Sequence, residues 1–227
     1  MTPPLDLIGR FAIQEVQIAE RLAHIEIFTA KGLLTMLWHG DKDAEHVVVM
    51  AGGGMGGLLG PAEGVYHELG VAFAEQGIGT IRVGYRIAND LPECILDVAA
   101  ACDLAARAGA VRFVTVGHSF GGAVAIGAAI SLPTHVAGVV TLATQSAGCE
   151  QAEKLWPRPL LLLHGDRDEI LPVMCSEVVS QLAGGGELVV LPGAGHLLNQ
   201  GGADRVVREK LLEWIPQVLA GDGERSA

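Results

Sequence analysis

Short apolar runs alternate with longer stretches of helical pattern along most of the chain. Residues 11–29 alternate in part, with Val16 and Ile18, then Ile25 and Ile27, and predict an antiparallel start to a sheet. Residues 33–38 predict a further edge strand. From there strand and helix take turns. The pattern predicts strands over 47–50, 78–84, 111–116, 136–142, 160–163 and 187–191. It predicts helices over 64–75, 92–108, 120–131, 172–182 and 203–219. The helix at 92–108 is the best marked: Pro92 stands in its first turn, and Ile95, Val98, Ala99, Cys102 and Ala106 recur at helical spacing. Such alternation of strands and helices implies a mostly parallel central sheet of about eight strands, covered by helices on both faces. Residues 1–10 and 221–227 read as flexible tails on a single domain spanning 1–227.

Composition narrows the class. The chain has 227 residues, half of them hydrophobic, and a mean hydropathy of +0.39. That length suits one domain with a sizeable core. No apolar run approaches the roughly 18 residues needed to span a bilayer. Strands buried on both faces explain the hydropathy better. The first residues, Met1 to Asp6, lack a basic start and a long apolar stretch, so no signal peptide is expected and the cytoplasm is the expected location. The net charge of −11 argues against nucleic acid or an anionic membrane surface as partner. Cys94, Cys102, Cys149 and Cys175 show no CxxC spacing and read as reduced thiols. No His/Cys/Asp cluster has metal-ligand spacing, and neither metal nor cofactor is expected.

The chemistry is carried by Gly117-His118-Ser119-Phe120-Gly121-Gly122. This stretch joins a predicted strand to a predicted helix. A serine in such a turn is held at the tip of the strand with its hydroxyl exposed, at the N-terminus of the following helix. Two more strand ends carry matching groups. The run Leu160-Leu161-Leu162-Leu163 leads into His164-Gly165-Asp166-Arg167-Asp168-Glu169, and the strand 187–191 leads into Pro192-Gly193-Ala194-Gly195-His196. Serine, acid and histidine thus follow one another, each just after a strand. In these features the chain resembles the α/β-hydrolase superfamily, over residues 32–219. The resemblance implies the α/β-hydrolase fold with Ser119 as nucleophile and His196 as base. The family pattern for the acid loop is matched by Gly165, Asp168, Leu171 and Pro172. It therefore implies Asp168 as the acid, with Asp166 a turn residue and Glu169 a weaker alternative. The oxyanion hole is expected from the backbone N–H of Phe120 and of Gly53 or Gly54. The family often has His-Gly at the start of that glycine loop, where this chain has Ala51-Gly52. A phosphate loop is the rival reading of residues 52–57, but no Lys-Ser/Thr follows it.

Many members of the superfamily carry a lid between the strands at 136–142 and 160–163. Here only residues 143–159 join them, so no lid domain is expected and the site should be open. The small size resembles dienelactone-hydrolase-like and carboxylesterase-like members, although dienelactone hydrolases proper use cysteine where this chain has Ser119. Met55, Leu58, Leu59, Leu171, Leu197 and Leu198 are candidates for an apolar acyl pocket. Arg86 is expected to pair with Asp90 or another loop acid rather than with substrate. The function expected is a serine hydrolase for esters or thioesters of small to medium acyl groups. Its partner is a small-molecule ester or thioester, with a homodimer left open. The alternatives are a non-catalytic binding protein of the same fold, or an acyltransferase using the same triad.

Overall fold

The computed structural model describes residues 2–221. A nine-stranded sheet forms the centre, one strand more than about eight. Its elements are α1 (Pro4–Leu7), β1 (Arg10–Ala19), β2 (Leu22–Thr29), β3 (Gly32–His39), β4 (His46–Ala51), α2 (Val65–Glu75), β5 (Gly79–Gly84) and α3 (Leu91–Ala108). Then follow β6 (Arg112–His118), α4 (Phe120–Ser131), β7 (Val136–Leu142), β8 (Leu160–Gly165), α5 (Met174–Leu182), β9 (Glu187–Leu191) and α6 (Ala203–Ala220). The strand order is β1-β2-β3-β5-β4-β6-β7-β8-β9. β1, β2 and β3 are antiparallel, β3 runs antiparallel to β5, and the remaining strands are parallel.

The parallel strands are apolar throughout because both their faces are buried. Val47, Val49, Phe113, Val139 and Leu162 face one apolar cluster, shared with α1, α3, α4 and α5. Val48, Met50, Val114, Val140 and Leu163 face the other, under α2 and α6. Periodicity placed most of these elements within one or two residues. The beginning of the chain differs. Residues 4–7, expected within a flexible tail, form a short helix docked on α3. Leu5 and Ile8 are buried there, and the Leu5 N–H donates to Asp103 at 2.9 Å. Residues 222–227 lie outside the described residues. Cys94, Cys102 and Cys149 are buried free thiols, pushed up to about 12 by desolvation, and Cys175 is half-buried.

The topology decides where a ligand can sit. From β4 the chain goes to β5 on one side, then crosses back to β6 on the other. The loops leaving the carboxyl ends of β4 and β6 therefore part company, and they leave a crevice above the sheet. The connection after β5 is anchored by a buried ion pair. The Arg86 N–H donates to Asp97 at 2.9 Å, and the Arg86 Nε–H donates to the other oxygen of the same carboxylate. An Arg86 Nη also reaches Glu93 at 2.8 Å, and Glu93 pairs in turn with Lys31. Arg86 thus pairs with two acids of α3. The expected partner Asp90 instead caps that helix, accepting from the Glu93 N–H at 3.2 Å. Burial pushes the Asp97 carboxyl up, against the pull of Arg86. Asp97→Ala would leave a buried guanidinium without its main partner. The expected loss is about 3–5 kcal/mol, or roughly 6–20 °C in the thermal midpoint by calorimetry.

Candidate active site

The turn between β6 and α4 is tight because two glycines allow it. A Cβ on Gly117 would run into the Gly121 carbonyl, and a Cβ on Gly121 would run into the Gly52 carbonyl. Between them Ser119 is held at φ 57° and ψ −121°, a backbone conformation that side-chain-bearing residues rarely adopt. The surroundings hold it in place. The Ser119 N–H donates to Leu142 at 2.8 Å, and its carbonyl accepts from Gly122 at 3.0 Å. The Phe120 amide, first in α4, has no intrahelical acceptor and lies at a positive helix end.

The glycine loop after β4 lies against this turn. Ideal Cβ positions on Gly53 and Gly54 fall 3.8 Å from the Ser119 Cβ and 3.7 Å from the Phe120 Cβ, respectively. Both glycines therefore adjoin the helix N-terminus, and either N–H remains a candidate donor. Two phenols fix the start of the loop. The Tyr66 hydroxyl donates to the Ala51 carbonyl at 2.9 Å, and the Tyr85 hydroxyl to the Gly52 carbonyl at 2.8 Å.

His196 is buried, and its Nδ1 lies 2.8 Å from Asp168 Oδ2. The other Asp168 oxygen accepts from the Ile170 and Leu171 N–H groups, both at 2.8 Å. Burial alone would raise the Asp168 carboxyl. The bonds from Leu171, His196 and Ile170 outweigh it and hold the group below the usual carboxylate range. By linkage, a depressed carboxylate contributes stability that is present above about pH 4 and lost as pH falls through the lowered folded value. Asp166 turns elsewhere and accepts from the Gly193 N–H at 2.6 Å. Glu169 lies against Gly195.

His118 also serves this corner. It is buried, its Nε2 lies 3.0 Å from the His196 carbonyl, and the two rings stand 4.9 Å apart. Burial lowers it to about 4, so it is neutral at pH 7 and donates from Nε2 to that carbonyl. A further bond, from the Ala62 N–H to the Leu197 carbonyl at 2.7 Å, ties the glycine loop to the histidine loop.

Ser119 and His196 line one open cleft of about 630 Å³. Met55, Leu58, Leu59 and Leu197 stand in its wall, with Met55 96% exposed. Two expected wall residues are elsewhere. Leu171 uses its backbone on Asp168 and is not in the wall, and Leu198 is fully buried in the core. Ile170 and Asn89 are in the wall instead. Neither carried a sequence signal, because their places depend on loop conformation. Residues 143–159 hold only a short 3-10 turn, Ala152–Leu155, and build no lid. Among the described residues no cluster of His, Cys, Asp and Glu fits a metal ion, and no helix is long and apolar enough to cross a membrane.

Dienelactone hydrolase from Anabaena variabilis superposes with a TM-score of 0.75 at 18% identity, covering 92% of this chain and 100% of that one. Est1E from Butyrivibrio proteoclasticus gives 0.72 at 18% identity, over 87% and 99%. An alpha-beta serine hydrolase homologue from Coxiella burnetii gives 0.66 at 21%, over 83% and 95%. This is the α/β-hydrolase fold. A family model described as phospholipase/carboxylesterase matches residues 98–200, the part of this chain that holds Ser119, Asp168 and His196. At 18–21% identity these structural likenesses show the fold alone. No curated protein matches the sequence.

The contacts separate the two aspartates. Asp168→Asn is expected to lower kcat on the order of 10³–10⁴-fold by favouring the wrong His196 tautomer. Asp166→Asn is expected to lower the thermal midpoint and leave kcat within a few-fold. Steady-state kinetics and thermal melts on both variants check this, and reversed effects would refute the assignment.

Proposed function

We propose that the protein is a serine hydrolase that cleaves esters or thioesters of small to medium acyl groups. The observation that carries the reading is the strained Ser119 turn in one cleft with a histidine whose Nδ1 is already bound to a buried carboxylate. Asp168 occupies Nδ1, which leaves His196 Nε2 as the nitrogen free to take a proton. Ser119 Oγ attacks the substrate carbonyl while His196 accepts the hydroxyl proton. Negative charge develops on the carbonyl oxygen. The Phe120 N–H and the N–H of Gly53 or Gly54 receive it at the helix N-terminus. The intermediate collapses, the bond to the leaving oxygen or sulfur breaks, and His196 returns the proton to it. Water then attacks the acyl-enzyme, with His196 again as base, and releases the acid and free Ser119.

The cleft supports the range of acyl groups. Its apolar wall is short and no lid covers it, so an acyl chain gains about 0.8 kcal/mol per methylene only while the wall lasts. With p-nitrophenyl esters, kcat/KM is expected to peak at short chains and then flatten, without a jump above the critical micelle concentration. A preference for C12 or longer esters would contradict the open site.

The covalent step has its own test. A fluorophosphonate probe is expected to label the wild type at Ser119 and to spare Ser119→Ala. Equal labelling of both would remove Ser119 from the role. Ser119→Ala and His196→Ala are each expected to lose several orders of magnitude in kcat, since such groups act as a unit.

A further inference from the structure

The Asp168 carboxylate has a second histidine on it. His164, at the end of β8, is fully buried, and its Nε2 lies 3.2 Å from Asp168 Oδ2, the oxygen that also meets His196. The same Nε2 lies 2.9 Å from the Leu171 carbonyl. A carbonyl only accepts, so Nε2 carries the hydrogen and gives it to Leu171, while Asp168 Oδ2 stands 3.2 Å from the same nitrogen. His164 Nδ1 lies 2.7 Å from the hydroxyl of Ser176, a fully buried residue of α5. In the neutral ring Nδ1 is then the acceptor, and the Ser176 hydroxyl donates to it. The direction of the chain is set: Ser176 hydroxyl to His164, then His164 Nε2–H to the Leu171 carbonyl, with the Asp168 carboxylate in close polar contact with that nitrogen.

We propose that His164, with its ring fixed by Ser176, is a positioning residue for Asp168, aiming the carboxylate at His196 and drawing off part of its charge. The proposal rests on the serine-hydrolase reading above. Its physical content is the sharing of one oxygen. Asp168 Oδ1 is filled by two backbone N–H groups, so the carboxylate can pivot only about that anchor. His164 packs against the same oxygen that meets His196 and limits that pivot. It also competes for electron density that would otherwise stabilise imidazolium on His196. The charged and titratable neighbours of this corner are His196 and, from β6, His118, which is neutral at pH 7. Asp166 is bound to Gly193 and Glu169 lies against Gly195, so neither meets Asp168. The sequence shows His164 only as one residue before the acid loop, with nothing to separate it from an ordinary buried histidine.

The test uses p-nitrophenyl butyrate hydrolysis as a function of pH, with wild type, His164→Ala, His164→Gln and Ser176→Ala. His164→Ala is expected to lower kcat about 10- to 100-fold, the range for groups that orient a catalytic ligand, with KM within about threefold. It is also expected to move the acidic limb of kcat/KM up by about half a pH unit, the worth of one polar contact weaker than a full hydrogen bond. An Asp168 relieved of the polar edge of His164 holds the proton on the Asp168–His196 couple more tightly, hence the upward sign. Gln keeps an N–H at a comparable reach, so His164→Gln is expected to restore most of kcat and return the limb. Ser176→Ala removes only an oxygen and is expected to fold, with a smaller displacement of the limb in the same direction. If His164→Ala does not fold, Ser176→Ala and His164→Gln decide. Folded variants with an unmoved limb and wild-type kcat would overturn the proposal. So would a loss of kcat that Gln does not rescue and that leaves the limb in place. Fluorophosphonate labelling of wild-type Ser119 keeps the two readings apart. Labelling with unchanged variants defeats the His164 proposal alone, whereas no labelling defeats the hydrolase reading and this one with it.

Discussion

The close approach of α4 to the ends of β4 and β6 is the constraint on which the rest depends. At Gly117 and Gly121 the backbones pass so near one another that no side-chain carbon fits between them. That contact forces the chain to turn within a single residue, and Ser119 takes up the strain at φ 57°. Strain of this kind, on the order of 1–3 kcal/mol, persists only where neighbours over-determine the conformation. Here Leu142 and Gly122 grip both backbone groups of Ser119. Ser119 is thereby placed in the cleft wall at the N-terminus of α4. A longer or looser turn would lose both at once.

Around this turn the three loops are linked to one another mainly through backbone carbonyls. Tyr66 and Tyr85 hold the glycine loop at Ala51 and Gly52. His118 holds the histidine loop at the His196 carbonyl, and the Ala62 N–H reaches Leu197. Two loop N–H groups and His164 hold Asp168. Bonds to the main chain set position without spending a side chain that must face the cleft. The result is a site preorganised on rigid strand ends and left open above. Such an arrangement suits electrostatic stabilisation of a developing charge, which requires donors already in place.

The stretch 85–97 shows how a sequence signal can mislead about partners while being right about type. Arg86 reads as a loop cation in need of an acid, and Asp90 is the nearest. Asp90 is used as the α3 cap, and the acids that meet Arg86 are Glu93 and Asp97, one and two turns into the helix. Their spacing brings both carboxylates onto the face of α3 that packs against the end of β5. The helix was legible from its period, whereas the choice among three acids depends on how it is rotated against the sheet.

Sequence by itself determined the architecture and the order of the chemical groups. Apolar strands with helical stretches between them can be satisfied by a sheet covered on both faces, and the glycines at 117 and 121 mark a turn that only they tolerate. Ser119 and the loops that carry Asp168 and His196 are legible because each follows a strand, and strand ends are fixed by local pattern. Asp168 is preferred to Asp166 only by the family resemblance. Tertiary structure decided the ninth strand, since the partial alternation over 11–29 leaves the count open until β1 finds β2 as its partner. It docked residues 4–7 on α3, because burial of Leu5 and Ile8 requires a surface from a hundred residues away. It put Ile170 rather than Leu171 in the cleft and brought His164 against Asp168 and His118 against His196. These placements turn on side-chain direction within loops. No period governs that direction, and contacts distant in sequence set it.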